Sequence, residues 1–140
     1  MTLSSASNAT ISDATGTFTV TDDESAPTVT LATSATSIAE NSGSNLTLTA
    51  TLSGTTDSTI TVALDTSGAT EGTDYSDDGG TSSLDDITIS AGATTGTVTF
   101  NPTTDTICEI GNETTTIAIN GVAGKTGVAE NSTPQAVTLT

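Results

Sequence analysis

Apolar and polar residues alternate along most of this chain of 140 residues, and the polar residue is most often threonine. The clearest run covers residues 46–52, where leucine or alanine occupies every second position. A period of two predicts β-strands with one buried face, and no stretch carries the period of 3.6 residues that a helix requires. Six further runs share the pattern, with apolar positions at Val29 and Leu31; Ile60, Val62 and Leu64; Ile87 and Ile89; Val98 and Phe100; Ile117 and Ile119; and Val137 and Leu139.

The seven runs are separated by turns rich in Gly, Ser, Asn and Asp. Short strands at this spacing predict an all-β protein, namely an immunoglobulin-like, two-sheet antiparallel β-sandwich of about seven strands. An eighth short segment, 37–39, is interpreted as a continuation of the first strand after a kink. The residues that we expect to point into the core are Leu46, Leu48, Ile60, Val62, Val98, Phe100, Ile117 and Ile119.

The charge of the chain excludes some partners. Lys125 is its one basic residue, against 17 acidic ones, and the formal net charge is −16. Neutralising phosphates requires Lys and Arg, so nucleic-acid binding is excluded, and attraction to an anionic membrane surface fails for the same reason. No apolar run approaches the length of a membrane span, so we expect no direct membrane insertion of this segment.

Catalysis is poorly supported by the residue types present. The chain has no His and no Arg, and its single cysteine, Cys108, has no imidazole that could make it a thiolate nucleophile. Paired carboxylates could hydrolyse glycosides, but such enzymes need a sugar cleft, usually lined by aromatic residues. The chain has only Tyr75, Phe18 and Phe100. We therefore expect that this protein is not an enzyme.

Three acidic turns border predicted strands. They are Ala39-Glu40-Asn41-Ser42-Gly43, Gly72-Thr73-Asp74-Tyr75, and the longer stretch from Thr104 to Thr114. Calcium takes six to eight oxygen ligands, which one short loop seldom supplies. Oxygen donors on several turns of a β-sandwich are what such a site requires, so the three turns together predict bound Ca²⁺.

In their order, flanking residues and spacing, these segments resemble a Calx-beta domain, the calcium-binding β-sandwich of sodium–calcium exchangers and bacterial surface proteins. The resemblance extends from about Pro27 to Thr140, and it implies that Tyr75 packs inward and fixes its turn. It also implies metal-ligand roles for Glu40, Asp74, Asp105, Glu109 and Glu113. The spacing of four residues from Asp105 to Glu109 is the spacing found in the family.

The function implied by this resemblance is that of a calcium-binding structural repeat in a large cell-surface or secreted protein of bacteria. Such a repeat would act in cell adhesion and communication, with calcium stiffening its junctions with neighbouring repeats of the same chain. Two alternatives stay open. One is a passive β-sandwich spacer without a specific ligand, since Asp and Asn are favoured in turns anyway. The other is a carbohydrate- or protein-binding adhesin module.

Residues 1–24 are expected to have a separate role. Gly16–Glu24 contains the sequence Thr-Phe-Thr-Val-Thr, which echoes Ala-Val-Thr-Leu-Thr of residues 136–140 at an offset of 119 residues. An echo of this length indicates a tandem array, although strands with alternating threonine all look alike. We expect residues 1–24 to be the last strand and acidic linker of a preceding repeat, and residues 25–140 to be the Calx-beta-type sandwich.

Overall fold

The computed structural model describes residues 1–70, 73–77, 84–104 and 111–140, and these form two five-stranded β-sheets. The predicted all-β, two-sheet sandwich is confirmed. The described residues include no helix that is long and apolar enough to cross a membrane. The strands are β1 (Thr28–Thr33), β2 (Ser37–Ile38), β3 (Leu46–Leu52), β4 (Ile60–Gly68), β5 (Tyr75–Asp77), β6 (Ile87–Ile89), β7 (Thr95–Pro102), β8 (Glu113–Ala123), β9 (Ala129–Glu130) and β10 (Gln135–Leu139).

The strand order is β5-β7-β3-β1-β9 in the first sheet and β2-β10-β8-β4-β6 in the second. Seven of these strands match the predicted runs, β2 lies in the predicted short segment 37–39, and β5 and β9 are additional short edge strands. The predicted sandwich was antiparallel throughout. The structure departs from this at two edges, where β9 pairs with β1 and β2 pairs with β10 in parallel, while the other strand pairs are antiparallel. Strands β5 and β9 are too short, and carry too little alternation, to be recognised in the sequence.

The short segment after β1 changes sheets. It follows the first strand after a bend, as expected, but Ser37 and Ile38 pair with Thr138 and Leu139 of β10 in the second sheet. The chain therefore crosses from one sheet to the other between Thr33 and Ser37. This crossing places the turn that contains Glu40 beside the end of β10.

The core lies between the inner faces of the two sheets, where the alternation of the sequence predicts it. Leu46, Leu48 and Ala50 of β3 face the interior, and the threonines between them face outward or lie half-buried. Of the eight residues predicted to point inward, seven are buried and Val98 is half-buried against the margin of the core. Tyr75 and Phe100 are fully buried and stack with a distance of 4.5 Å between their ring centroids.

The strand directions divide the loops between two ends of the sandwich. We call one end the carboxylate pole, defined by turn 39–42 and by Thr70, Thr73–Asp74, Thr103–Thr104 and Gly111–Asn112. We call the opposite end the lysine pole, defined by loops 53–59, 90–94 and 124–128. Because β1 begins at the lysine pole and β10 ends at the carboxylate pole, Pro27 and Thr140 lie at opposite ends.

The segment before β1 is largely exposed. Thr2 and Thr15 form an isolated antiparallel bridge, and the backbone of Leu3 donates to the Ala14 carbonyl, so residues 1–16 close on themselves. Phe18 and Val20 are 80% and 82% exposed. The proposed boundary between residues 1–24 and 25–140 stays a prediction.

Deleting residues 1–24 tests that boundary. Because Val137 and Leu139 already supply the last strand of this core, the deletion should change the melting temperature by no more than about 2 °C, as expected when only exposed residues are removed. Thermal unfolding of the full and shortened chains measures the difference. A loss of several degrees would show that Phe18 and Val20 contribute to this domain.

Candidate metal centre at the carboxylate pole

The turn that carries Glu40 is tied to two other parts of the carboxylate pole. The backbone N–H of Glu40 donates to the carbonyl of Thr140 at 3.2 Å. Its own carbonyl accepts a hydrogen bond from the Thr104 hydroxyl at 2.9 Å. Thr104 is the last described residue before positions 105–110, and this bond places it beside Glu40.

Asp74 closes the turn between β4 and β5. Its N–H donates to the carbonyl of Thr70 at 2.8 Å, and its carboxylate Oδ2 accepts a hydrogen bond from the Thr70 N–H. The carbonyl of Asp74 accepts from the Thr103 N–H at 2.9 Å. Asp74 is only 8% exposed, and the Thr70 N–H is the bond that its carboxylate accepts among the described residues, out of about four acceptor positions.

Glu113 is the first residue of β8 and lies opposite Leu139 of β10. It is half-buried and shares the inner-face register of β8 with Thr115 and Ile117. It also lines an open groove of about 240 Å³ with Gly68, Ala69, Thr70 and Thr114. Thr70 is the residue that donates to the carboxylate of Asp74, so this groove connects the surroundings of Glu113 with those of Asp74.

The structure therefore brings three of the five predicted ligands, Glu40, Asp74 and Glu113, to one pole. Asp105 and Glu109 lie outside the described residues, in the segment that Thr104 and Gly111 flank. Within the described ranges, no three His, Cys, Asp or Glu side chains approach closely enough to hold a metal ion. The donors at the pole are carboxylate, hydroxyl and carbonyl oxygens, which is the chemistry that Ca²⁺ prefers.

Two buried hydroxyl groups belong to residues near these ligands. Tyr75, which directly follows Asp74, packs inward as predicted and is fully buried, and so is Thr115. In the part of the chain that the structure describes, the hydroxyl oxygen of each is buried without a hydrogen-bond partner.

Sequence reasoning missed two residues that shape the pole. The Thr104 hydroxyl fixes the Glu40 turn, but nothing distinguishes Thr104 from the many other threonines of the chain. Thr115 was also missed, although the sequence carries a signal for its burial. It lies two residues before Ile117 and four before Ile119, on the same face of β8.

The lysine pole has a different electrostatic character. Lys125 donates a hydrogen bond from Nζ to Oδ1 of Asp57 at 2.6 Å, and both side chains are exposed. The bond from Lys125, with a smaller contribution from the Ser58 hydroxyl, holds the pKa of the Asp57 carboxyl below its ordinary value. The only basic side chain of the protein is therefore at the end opposite the predicted calcium ligands.

No family model matches this chain, and no curated protein matches it either. The resemblance to the Calx-beta domain therefore depends on the three acidic turns and stays a prediction.

Proposed function

We propose that this chain is a calcium-binding, Calx-beta-type structural repeat of a large bacterial cell-surface or secreted protein that acts in adhesion and cell communication. One observation carries the proposal. Backbone and hydroxyl hydrogen bonds bring the Glu40 turn, Asp74 and Thr103–Thr104, where the third acidic stretch begins, together at one pole. These are the three acidic segments that the sequence singled out independently of the fold.

The proposed role of calcium follows from the charge of the chain. Carboxylates at the same pole repel one another, and a net charge of −16 adds to the self-repulsion of the compact state. A calcium ion would replace this repulsion by coordination and would link turns that belong to different strands. Because the ion would bind the folded state preferentially, it would raise the stability by mass action.

Thermal unfolding of the full chain in calcium tests the proposal. At a calcium concentration ten times the Kd, which lies at about 10⁻⁴ to 10⁻³ M in extracellular modules, we expect a gain of about 1.4 kcal/mol. For a domain of this size, the gain raises the melting temperature by about 5 °C. Magnesium should raise it less because it requires a smaller, octahedral site. Sodium chloride at matched ionic strength corrects for screening of the net charge.

Single substitutions locate the effect. Asp105→Asn and Glu109→Gln should each abolish most of the rise caused by calcium while leaving the fold intact. The matched controls are Asp65→Asn, on the exposed side of β4, and Glu130→Gln, on β9 beside the first residues of β1. The controls remove the same charge away from the carboxylate pole and should keep the full calcium response. Equal losses in all four variants would show that calcium only screens the net charge.

A passive β-sandwich spacer is the second candidate, and one observation favours it. The carboxylate of Asp74 already accepts the Thr70 N–H, so Asp74 has a structural role in its turn without any metal. A spacer of this kind would show equal melting temperatures in calcium and in sodium chloride of the same ionic strength. That result would reject the calcium proposal and leave the spacer.

A further inference from the structure

The large apolar side chains that are most exposed in the described part of the chain all lie before β1. They include Phe18 and Val20, which alternate with Thr17, Thr19 and Thr21. Such alternation is typical of a strand with one face against a core. In the described structure, however, residues 17–21 pair with no strand, and both apolar side chains are largely in solvent. An alternating apolar face of this kind indicates a partner surface elsewhere.

Strand β10 shows which surface would fit. Residues 17–21 align with residues 136–140, so Phe18 corresponds to Val137 and Val20 to Leu139. Both β10 side chains are fully buried, and β10 lies between β2 and β8 in the second sheet. Residues 17–21 therefore have the alternation, length and register that this position requires.

We infer that residues 17–21 form the last strand of a second β-sandwich of the same fold, between its equivalents of β2 and β8. The inference does not depend on calcium binding. It assigns Phe18 and Val20 to the core of that second sandwich, and it explains why they lie outside the core of this one. The partner is thus a domain of this fold, which supplies a matching inner face.

The charges that follow the segment agree with this placement. In the second sandwich, Asp22–Glu24 would leave from the carboxylate pole, as the chain does here at Thr140. In this sandwich, Asp22 and Glu24 line a groove of about 260 Å³ at the lysine pole, together with Lys125. The acidic stretch would therefore lie between the carboxylate pole of one domain and the only basic side chain of the other. The attraction between this acidic stretch and Lys125 would hold the linker against the lysine pole, and salt would weaken it.

A strand transplant within the full chain tests the inference. The triple variant Ala136→Thr, Val137→Phe and Leu139→Val gives residues 136–140 the sequence of residues 17–21. If that sequence encodes a β10 strand, the variant should unfold cooperatively. We expect a loss of about 8 °C or less in the melting temperature, because the apolar positions keep their register.

The control variant uses the same five residues moved by one position. The substitutions Ala136→Phe, Val137→Thr, Thr138→Val and Leu139→Thr direct the threonines inward and the apolar side chains outward. A slip of one residue reverses the two faces of a strand, so we expect a loss of about 15 °C or more. A transplant that is no more stable than this control would overturn the inference.

A peptide measurement decides the case in which neither variant folds cooperatively. A synthetic peptide of residues 13–24 is added to the full chain carrying Leu139→Ala, which weakens its own β10. The peptide should raise the melting temperature of this variant, because Phe18 and Val20 can occupy the weakened position. The same peptide with Phe18→Asp and Val20→Asp should have no effect. Equal responses to both peptides would overturn the inference.

Discussion

Replacing Phe100 by alanine should lower the free energy of unfolding by about 3–5 kcal/mol, whereas replacing Phe18 should change it by less than about 0.5 kcal/mol. Phe100 is fully buried on β7 and stacks on Tyr75, so its removal leaves a cavity and breaks the aromatic pair. Phe18 is 80% exposed. The two phenylalanines of the chain therefore form a matched pair that differs only in location.

Urea unfolding of Phe100→Ala and Phe18→Ala measures both effects in the same buffer. For a domain of this size, the Phe100 substitution should also lower the melting temperature by roughly 12–20 °C. Many domains have a free energy of unfolding of only about 5–15 kcal/mol, so a loss of about 3–5 kcal/mol is a large fraction of it. Similar losses from the two substitutions would contradict the arrangement of the core described above.

Replacing Gly68 by alanine should be the second severe change, because two separate costs add there. Gly68 has a φ of +114°, a conformation that costs other residues about 1–3 kcal/mol. In addition, an alanine Cβ would lie 2.0 Å from the carbonyl oxygen of Thr114 on β8. Relieving this overlap requires the end of the β4–β8 ladder to shift, at a further cost of about 1–3 kcal/mol.

Gly111 provides the control that separates the two costs. It has the same φ of +114°, but among the described residues a Cβ would meet no atom within 4 Å. Gly111→Ala should therefore show only the conformational cost, and Gly68→Ala should lose more stability in the same denaturant titration. Equal losses would mean that β8 tolerates a side chain beside Thr114.

The fold could be predicted because its core depends on alternation alone. Leu46, Leu48 and Ala50 are separated by threonines, and that pattern is sufficient to define a half-buried strand. The edge strands β5 and β9 could not be predicted in the same way. Ala129–Glu130 has two exposed residues, and its pairing with β1 depends on the three-dimensional path of the chain rather than on local sequence.

The candidate site was predictable only in part. The resemblance to the Calx-beta domain selected Glu40, Asp74 and Glu113, and the structure brings their segments to the same pole. The sequence did not reveal what holds those segments together, because the donor is the hydroxyl of Thr104, one threonine among many. Nor did it reveal that the Asp74 carboxylate accepts the Thr70 N–H, since such a bond depends on the turn geometry.

The positions of Pro27 and Thr140 at opposite poles determine how the domain would carry mechanical load. A pull applied at these two points acts along the strands, on β1 in the first sheet and on β10 in the second. Strand β1 is paired with β3 over Val29–Thr33, and β10 is paired with β8 over Gln135–Leu139. Tension would therefore shear each ladder as a unit instead of opening its hydrogen bonds one after another. Because forced unfolding is governed by the unfolding rate, the domain should resist stretching better than its small aliphatic core alone would suggest.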